Sequence, residues 1–78
     1  MKLLPAHVAG ARGMLKMTQA ELATAAGVSA RTIINFENEL SELRPETELA
    51  IVAVLESRGI RLQNGGQPTV TLIDPKRS

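Results

Sequence analysis

The sequence predicts a mainly α fold in which four short helices are followed by a β-hairpin. Hydroxyl residues and prolines stand where helices begin, and glycines stand where helices end. After residue 59 the apolar residues alternate with a period of two, which is typical of strands. The chain has 78 residues, enough for one small core. We therefore expect a helical domain over residues 1–58, and a hairpin arm with a frayed tail over residues 59–78.

The segment LLPAHVAGARGMLKM, residues 3–17, predicts the first helix. Pro5 suits the first helical position, where a backbone N–H is not needed. Val8, Ala11 and Leu15 then fall on one face of the helix.

Two short helices follow, with a glycine between them. The capping box TQAE at residues 18–21 opens the second helix, and Gly27 ends it. Ser29 caps a third helix, in which Ile33 and Phe36 point to one side. Arg31, Thr32 and Asn35 point elsewhere.

A glycine-containing turn between two short helices is typical of a helix-turn-helix. The small Ala23 matters in this reading because a larger side chain there would push the two helices apart. The same spacing also fits an ordinary corner between helices in a bundle, and a fold need not imply a function. From spacing alone, both interpretations stay open.

The last third of the chain predicts a fourth helix and the hairpin. The helix runs from Pro45 to Gly59, and its centre LAIVAVL is apolar on every side. Strands are expected in IRLQ and TVTLI, separated by the turn sequence NGGQP, with Pro68 at the edge or start of the second strand.

These elements also predict self-association. Because a helix-turn-helix buries only one stripe of the fourth helix, we expect Ile51, Val54 and Leu55 to be left in water. The hairpin supplies a second apolar surface. Its apolar face is formed by Ile60, Leu62, Val70 and Leu72, with Ile73 on the opposite face. The expected result is a homodimer through the fourth helix and residues 60–73.

Composition argues against several function classes. The chain has no cysteine and one histidine, His7, so we expect no metal site and no cofactor. No serine, histidine and acid cluster for catalysis is apparent, so we expect that it is not an enzyme. No apolar run reaches membrane-spanning length, which predicts a cytoplasmic protein that does not enter membranes. The formal charge of +1 gives only weak support for nucleic-acid binding.

A resemblance favours the DNA-binding interpretation. The segment MTQAELATAAGVSARTIINFEN, residues 17–38, resembles the Cro/Xre (lambda-repressor-like) helix-turn-helix family. The tail LESRGIRLQNGGQPTVTLI resembles that of a bacterial subgroup with a short β-hairpin after the fourth helix. The resemblance implies a four-helix lambda-repressor-like domain that binds double-stranded DNA and regulates transcription, usually as a repressor.

In the family the third helix lies in the major groove, with its first residues at base edges. Arg31 would donate two hydrogen bonds to guanine, at O6 and N7, and Asn35, one turn later, would bind adenine. Thr32 would reach a phosphate or a thymine methyl, or would only complete the helix cap. The alternative for Arg31 and Asn35 is an ordinary solvated surface residue.

Other predicted DNA-binding residues stand at helix ends. Gln19 opens the second helix, where the resemblance places a phosphate contact. Ser29, which caps the third helix, is also predicted to bind DNA. Asn38 follows the third helix and would hold a phosphate or merely cap that helix. Arg12 and Glu37 match an arginine–glutamate pair of the family, with two separate surface charges as the alternative.

The leading hypothesis is a sequence-specific regulator, most simply a repressor, that binds a short palindromic operator as a homodimer. The competing hypothesis is an antitoxin-like protein-interaction module whose C-terminal arm binds a partner protein. Both activities can coexist in one chain.

Overall fold

The computed structural model describes residues 2–63 and 69–72, with side chains for residues 2–62. Its elements, in chain order, are α1 (Pro5–Leu15), α2 (Gln19–Ala26), α3 (Ala30–Glu37), α4 (Pro45–Ser57), β1 (Ile60–Gln63) and β2 (Thr69–Leu72). The mainly α fold with four helices is confirmed, although α4 ends at Ser57 rather than at Gly59. The predicted NGGQP turn, Pro68, Ile73 and the tail lie outside the described residues.

The predicted capping box at the start of α2 is present with both of its hydrogen bonds. Thr18 Oγ1 accepts the Glu21 backbone N–H at 3.0 Å, and Glu21 Oε1 accepts the Thr18 backbone N–H at 2.8 Å. The bond from the Thr18 backbone, followed by that with its side chain, lowers the pKa of Glu21 below its ordinary 4.5. The stabilisation by the ionised box is therefore present above pH 4.5 and is lost as the pH falls through the lowered pKa.

The start of α1 is held by two side chains that the sequence analysis did not identify. Leu4 has no polar side chain to cap the helix, but the His7 Nδ1 atom accepts its backbone N–H at 3.0 Å. Glu48 Oε2 on α4 accepts the Leu3 backbone N–H at 3.1 Å. The His7 side chain is fully buried, so this histidine is a structural residue of α1.

One apolar core joins the helices and the first strand. Its buried members are Leu3, Val8, Ala11, Leu22, Ala23, Ile33, Phe36, Ile51, Leu55, Ile60 and Leu62. These side chains come from α1 to α4, β1 and the segment before α1. Burial of this shared surface fixes the orientation of α3, because Ile33 and Phe36 lie in the same cluster.

The hairpin packs on the helices of its own chain. The strands are antiparallel, with Ile60 opposite Leu72 and Leu62 opposite Val70. β2 lies against α1 and β1 lies against α4. The side chains of Ile60 and Leu62 are 3% and 9% exposed, so the apolar face of β1 is already covered within one chain.

The predicted exposure of α4 is therefore wrong. Ile51 and Leu55 are fully buried and Val54 is half-buried, whereas the prediction left all three in water. The prediction counted only the face of α4 that meets the helix-turn-helix, but β1 covers a further part of the helix. The large apolar side chain that α4 does expose is Leu49, at 69%.

The close contact of α2 with α3 predicts the effect of enlarging Ala23, which is 2% exposed. We expect Ala23→Leu to lower the free energy of unfolding by about 1–3 kcal/mol through overpacking. By contrast, Ala25→Leu on the exposed side of α2 should change stability by less than about 0.5 kcal/mol. Thermal melting of both variants checks this, and equal melting temperatures would show that Ala23 is not a close contact.

Candidate nucleic-acid interface

Helix α3 has one face fixed in the core and one face available to a ligand. Ile33 and Phe36 are buried, and α3 contacts both α1 and α2. On the other side Arg31 is exposed, while Thr32 and Asn35 are half-buried. This division agrees with the sequence prediction and makes α3 a rigid support for polar side chains.

The first turn of α3 is capped by Ser29. Ser29 Oγ accepts the Thr32 backbone N–H at 3.2 Å, and the two hydroxyl oxygens are 3.0 Å apart and hydrogen-bonded. Thr32 therefore takes part in the helix cap, one of the two roles considered for it. The cap orders both hydroxyls at the positively polarised end of the helix.

A cleft runs between α3 and residues 41–47, and the predicted base readers line it. Arg31, Thr32 and Asn35 lie on its α3 side. Among the described residues the Arg31 guanidinium makes no hydrogen bond or ion pair, so its five N–H donors are available to a ligand. The other lining residues are Val28, Ser29, Ser41, Glu42, Leu43, Arg44 and Thr47.

Sequence analysis missed the second side of this cleft. Glu42, Arg44 and Thr47 follow α3 in the connector and the first turn of α4. Nothing in their spacing relates them to α3, since the approach of these two segments depends on the path of the connector. The cleft has two arginines and one carboxylate along its lining, which suits a polar anionic ligand.

The predicted pair of Arg12 and Glu37 is confirmed and joins α1 to the end of α3. The contact is bidentate, with Nε to Oε2 and Nη2 to Oε1 both at 2.7 Å. Arg12 Nη1 also donates to the Met17 carbonyl at 3.0 Å, before α2 begins. The hydrogen bonds that Arg12 donates to Glu37 raise the pKa of Arg12 further above its already high value. This network fixes where α2 and α3 lie relative to α1.

Gln19 belongs to the same network. Its Nε2 donates to Glu37 Oε1 at 3.3 Å, which orients the amide at the first residue of α2. An amide nitrogen carries two N–H donors, so this contact leaves one for a ligand. A phosphate contact by Gln19 is thus compatible with the observed bond.

Asn38 is exposed directly after α3. Its backbone N–H donates to the Ile34 carbonyl at 3.0 Å, so it stands at the C-cap position. DNA contacts by Gln19, Ser29, Arg31, Thr32, Asn35 and Asn38 stay predictions, because the structure contains the protein alone.

Within residues 2–63 and 69–72, no three histidine, aspartate or glutamate side chains gather in a way that would hold a metal ion. In that part of the chain, no helix is both long and apolar enough to cross a membrane.

Part of the chain matches a known protein family. A family model described as helix-turn-helix matches residues 9–59, which run from α1 to the end of α4 and include the cleft. The match stops before β1, so it does not bear on the hairpin. No curated protein matches the chain at a significant level.

Proposed function

Since the chain belongs to the Cro/C1-type, Xre-like helix-turn-helix family of DNA-binding transcription regulators, we propose that it is a sequence-specific repressor that binds a short palindromic operator as a homodimer. The main support is the outer face of α3, where Arg31 and Asn35 line one cleft on a helix whose other face is locked in the core.

Each side chain has a definite part in this proposal. Arg31 donates two N–H bonds to O6 and N7 of guanine, and Asn35 bonds adenine. Gln19 and Asn38 hold phosphates on either side of the groove, and so fix the register of α3. The capped start of α3, with Ser29 and Thr32, adds a positive end for the DNA backbone.

Two copies are proposed because one recognition helix reads only a few base pairs. A twofold pair reads two half-sites whose centres are roughly 34–36 Å apart, about one helical turn of DNA. Among the described residues β1 and β2 pair only with each other, so each strand has an outer edge able to pair with a second hairpin. This route keeps the hairpin part of the predicted interface and drops Ile51 and Leu55 of α4, because these two side chains are buried within one chain.

Sedimentation on DNA tests the proposal. We expect two chains on a duplex with the full palindrome, and affinity at least about a hundredfold weaker for a single half-site, a difference of roughly 2.7 kcal/mol. A matched duplex with the half-sites moved apart by five base pairs would place them on opposite sides of the DNA and serves as the control. One chain bound per palindrome with unchanged affinity would contradict the homodimer but leave DNA binding intact.

A further inference from the structure

The outward side of α4 carries an exposed stripe that neither the fold nor the DNA contacts account for. It consists of Glu46, Leu49, Ala53 and Glu56, which we call the α4 stripe. Spacings of three, four and three residues place these side chains along one face of the helix. All four are exposed, and Leu49 is 69% exposed.

The fold does not require the α4 stripe. Ile51 and Leu55 make the buried side of α4, and Val52 and Val54 are half-buried at its borders. Leu49 lies beyond these borders, where a polar residue would serve the fold equally well. Leu49 is the one large apolar side chain that α4 exposes, and with Ala53 it forms a small apolar surface between two carboxylates.

Charge decides which partner the α4 stripe fits. A carboxylate at each end repels DNA phosphates, so DNA is a poor occupant. A second copy of the chain is also a poor occupant. Twofold antiparallel packing about the middle of the stripe sets Glu46 against the partner's Glu56, and parallel packing sets each glutamate against its own equivalent.

We propose that the α4 stripe docks another protein, through a helix that presents an apolar residue between lysines or arginines. Leu49 and Ala53 form the dry centre of this contact, and Glu46 and Glu56 pair with the basic residues at its rim. Because rim pairs are exposed to solvent, binding weakens as salt is added. This contact needs neither the C-terminal arm nor DNA, so it stands independently of the operator-binding proposal.

The test uses the full chain and two synthetic helical peptides. One peptide has a leucine stripe flanked by lysines, and the matched peptide has glutamates in place of the lysines. In backbone amide spectra we expect the lysine peptide to shift the signals of residues 46–56 in a salt-dependent way, and the glutamate peptide to leave them unchanged. Leu49→Ser should weaken the lysine peptide at least about tenfold, a change of 1.4 kcal/mol. Met14→Ser, at an exposed apolar residue of α1, should leave the affinity unchanged.

A charge exchange makes the test sharper. The double variant Glu46→Lys, Glu56→Lys should reverse the preference and bind the glutamate peptide. Equal binding of both peptides, or no shifts on α4 with either, would overturn the proposal. If sedimentation shows that Leu49→Ser converts a dimer of the chain to a monomer, a second copy is the occupant of the stripe and the proposal is also overturned. Weaker binding of random duplex by Leu49→Ser would overturn it in favour of DNA.

Discussion

We expect Glu37→Gln to lower the free energy of unfolding by about 3 kcal/mol. The Glu37 side chain is 7% exposed and accepts two bonds from Arg12 and one from Gln19. Glutamine keeps the shape but turns an N–H₂ group toward the Arg12 guanidinium, and leaves that cation without its partner. Removing one partner of a buried ion pair costs about 3–5 kcal/mol, and we expect the lower value here because Arg12 is 20% exposed.

Thermal and urea unfolding measure this effect. For a domain of this size the melting temperature should fall by more than about 10 °C. The control is Glu39→Gln, which removes an exposed carboxylate two residues away and should change stability by less than about 0.5 kcal/mol. Similar losses in both variants would show that the pair with Arg12 contributes no more than an ordinary surface charge.

Arg31→Ala is expected to weaken operator binding by about 1–3 kcal/mol in each half-site. Its guanidinium lines the cleft and has no partner among the described residues, so removing it should leave the folded state unchanged. Binding to random duplex should weaken much less, because a base contact adds affinity only where its guanine is present. Titration of both duplexes at one salt concentration separates the two effects.

The chain offers a matched arginine for comparison. Arg44 lies in the same cleft, on the side of the α3–α4 connector. We expect Arg44→Ala to weaken operator and random duplex alike and to reduce the slope of log affinity against log salt by about one per chain. If Arg31→Ala shows this same uniform loss, then Arg31 is a phosphate contact and the assignment of base reading to it is wrong.

Local signals in the sequence were enough to predict the helices. The caps at Thr18 and Ser29, the glycine at residue 27 and the proline at residue 45 act within a single turn of chain, and the structure has a helix boundary at each. The buried and exposed faces of α3 could also be predicted, because its apolar and polar residues lie on opposite sides of the helix.

What failed depends on contacts between distant segments. α4 is apolar all round, so its sequence does not show which side is buried. Ile51 and Leu55 are buried in a helix that contacts both α2 and β1, and these contacts cannot be read from the sequence of α4 alone. The acceptor role of His7 was missed because capping boxes are expected to use glutamate or glutamine three residues after the cap. Arg12 and Glu37 are 25 residues apart and were paired only through the family resemblance.

Selection of bound duplexes from a random DNA library, followed by sequencing, tests most directly that α3 reads bases through Arg31 and its neighbours. We expect enrichment of a twofold symmetric site with half-sites about one helical turn apart and a preferred guanine in each half-site. When the selection is repeated with Arg31→Ala, the preference for this guanine should be lost. A bound pool with no enriched site, or a guanine preference unchanged in that variant, would contradict it.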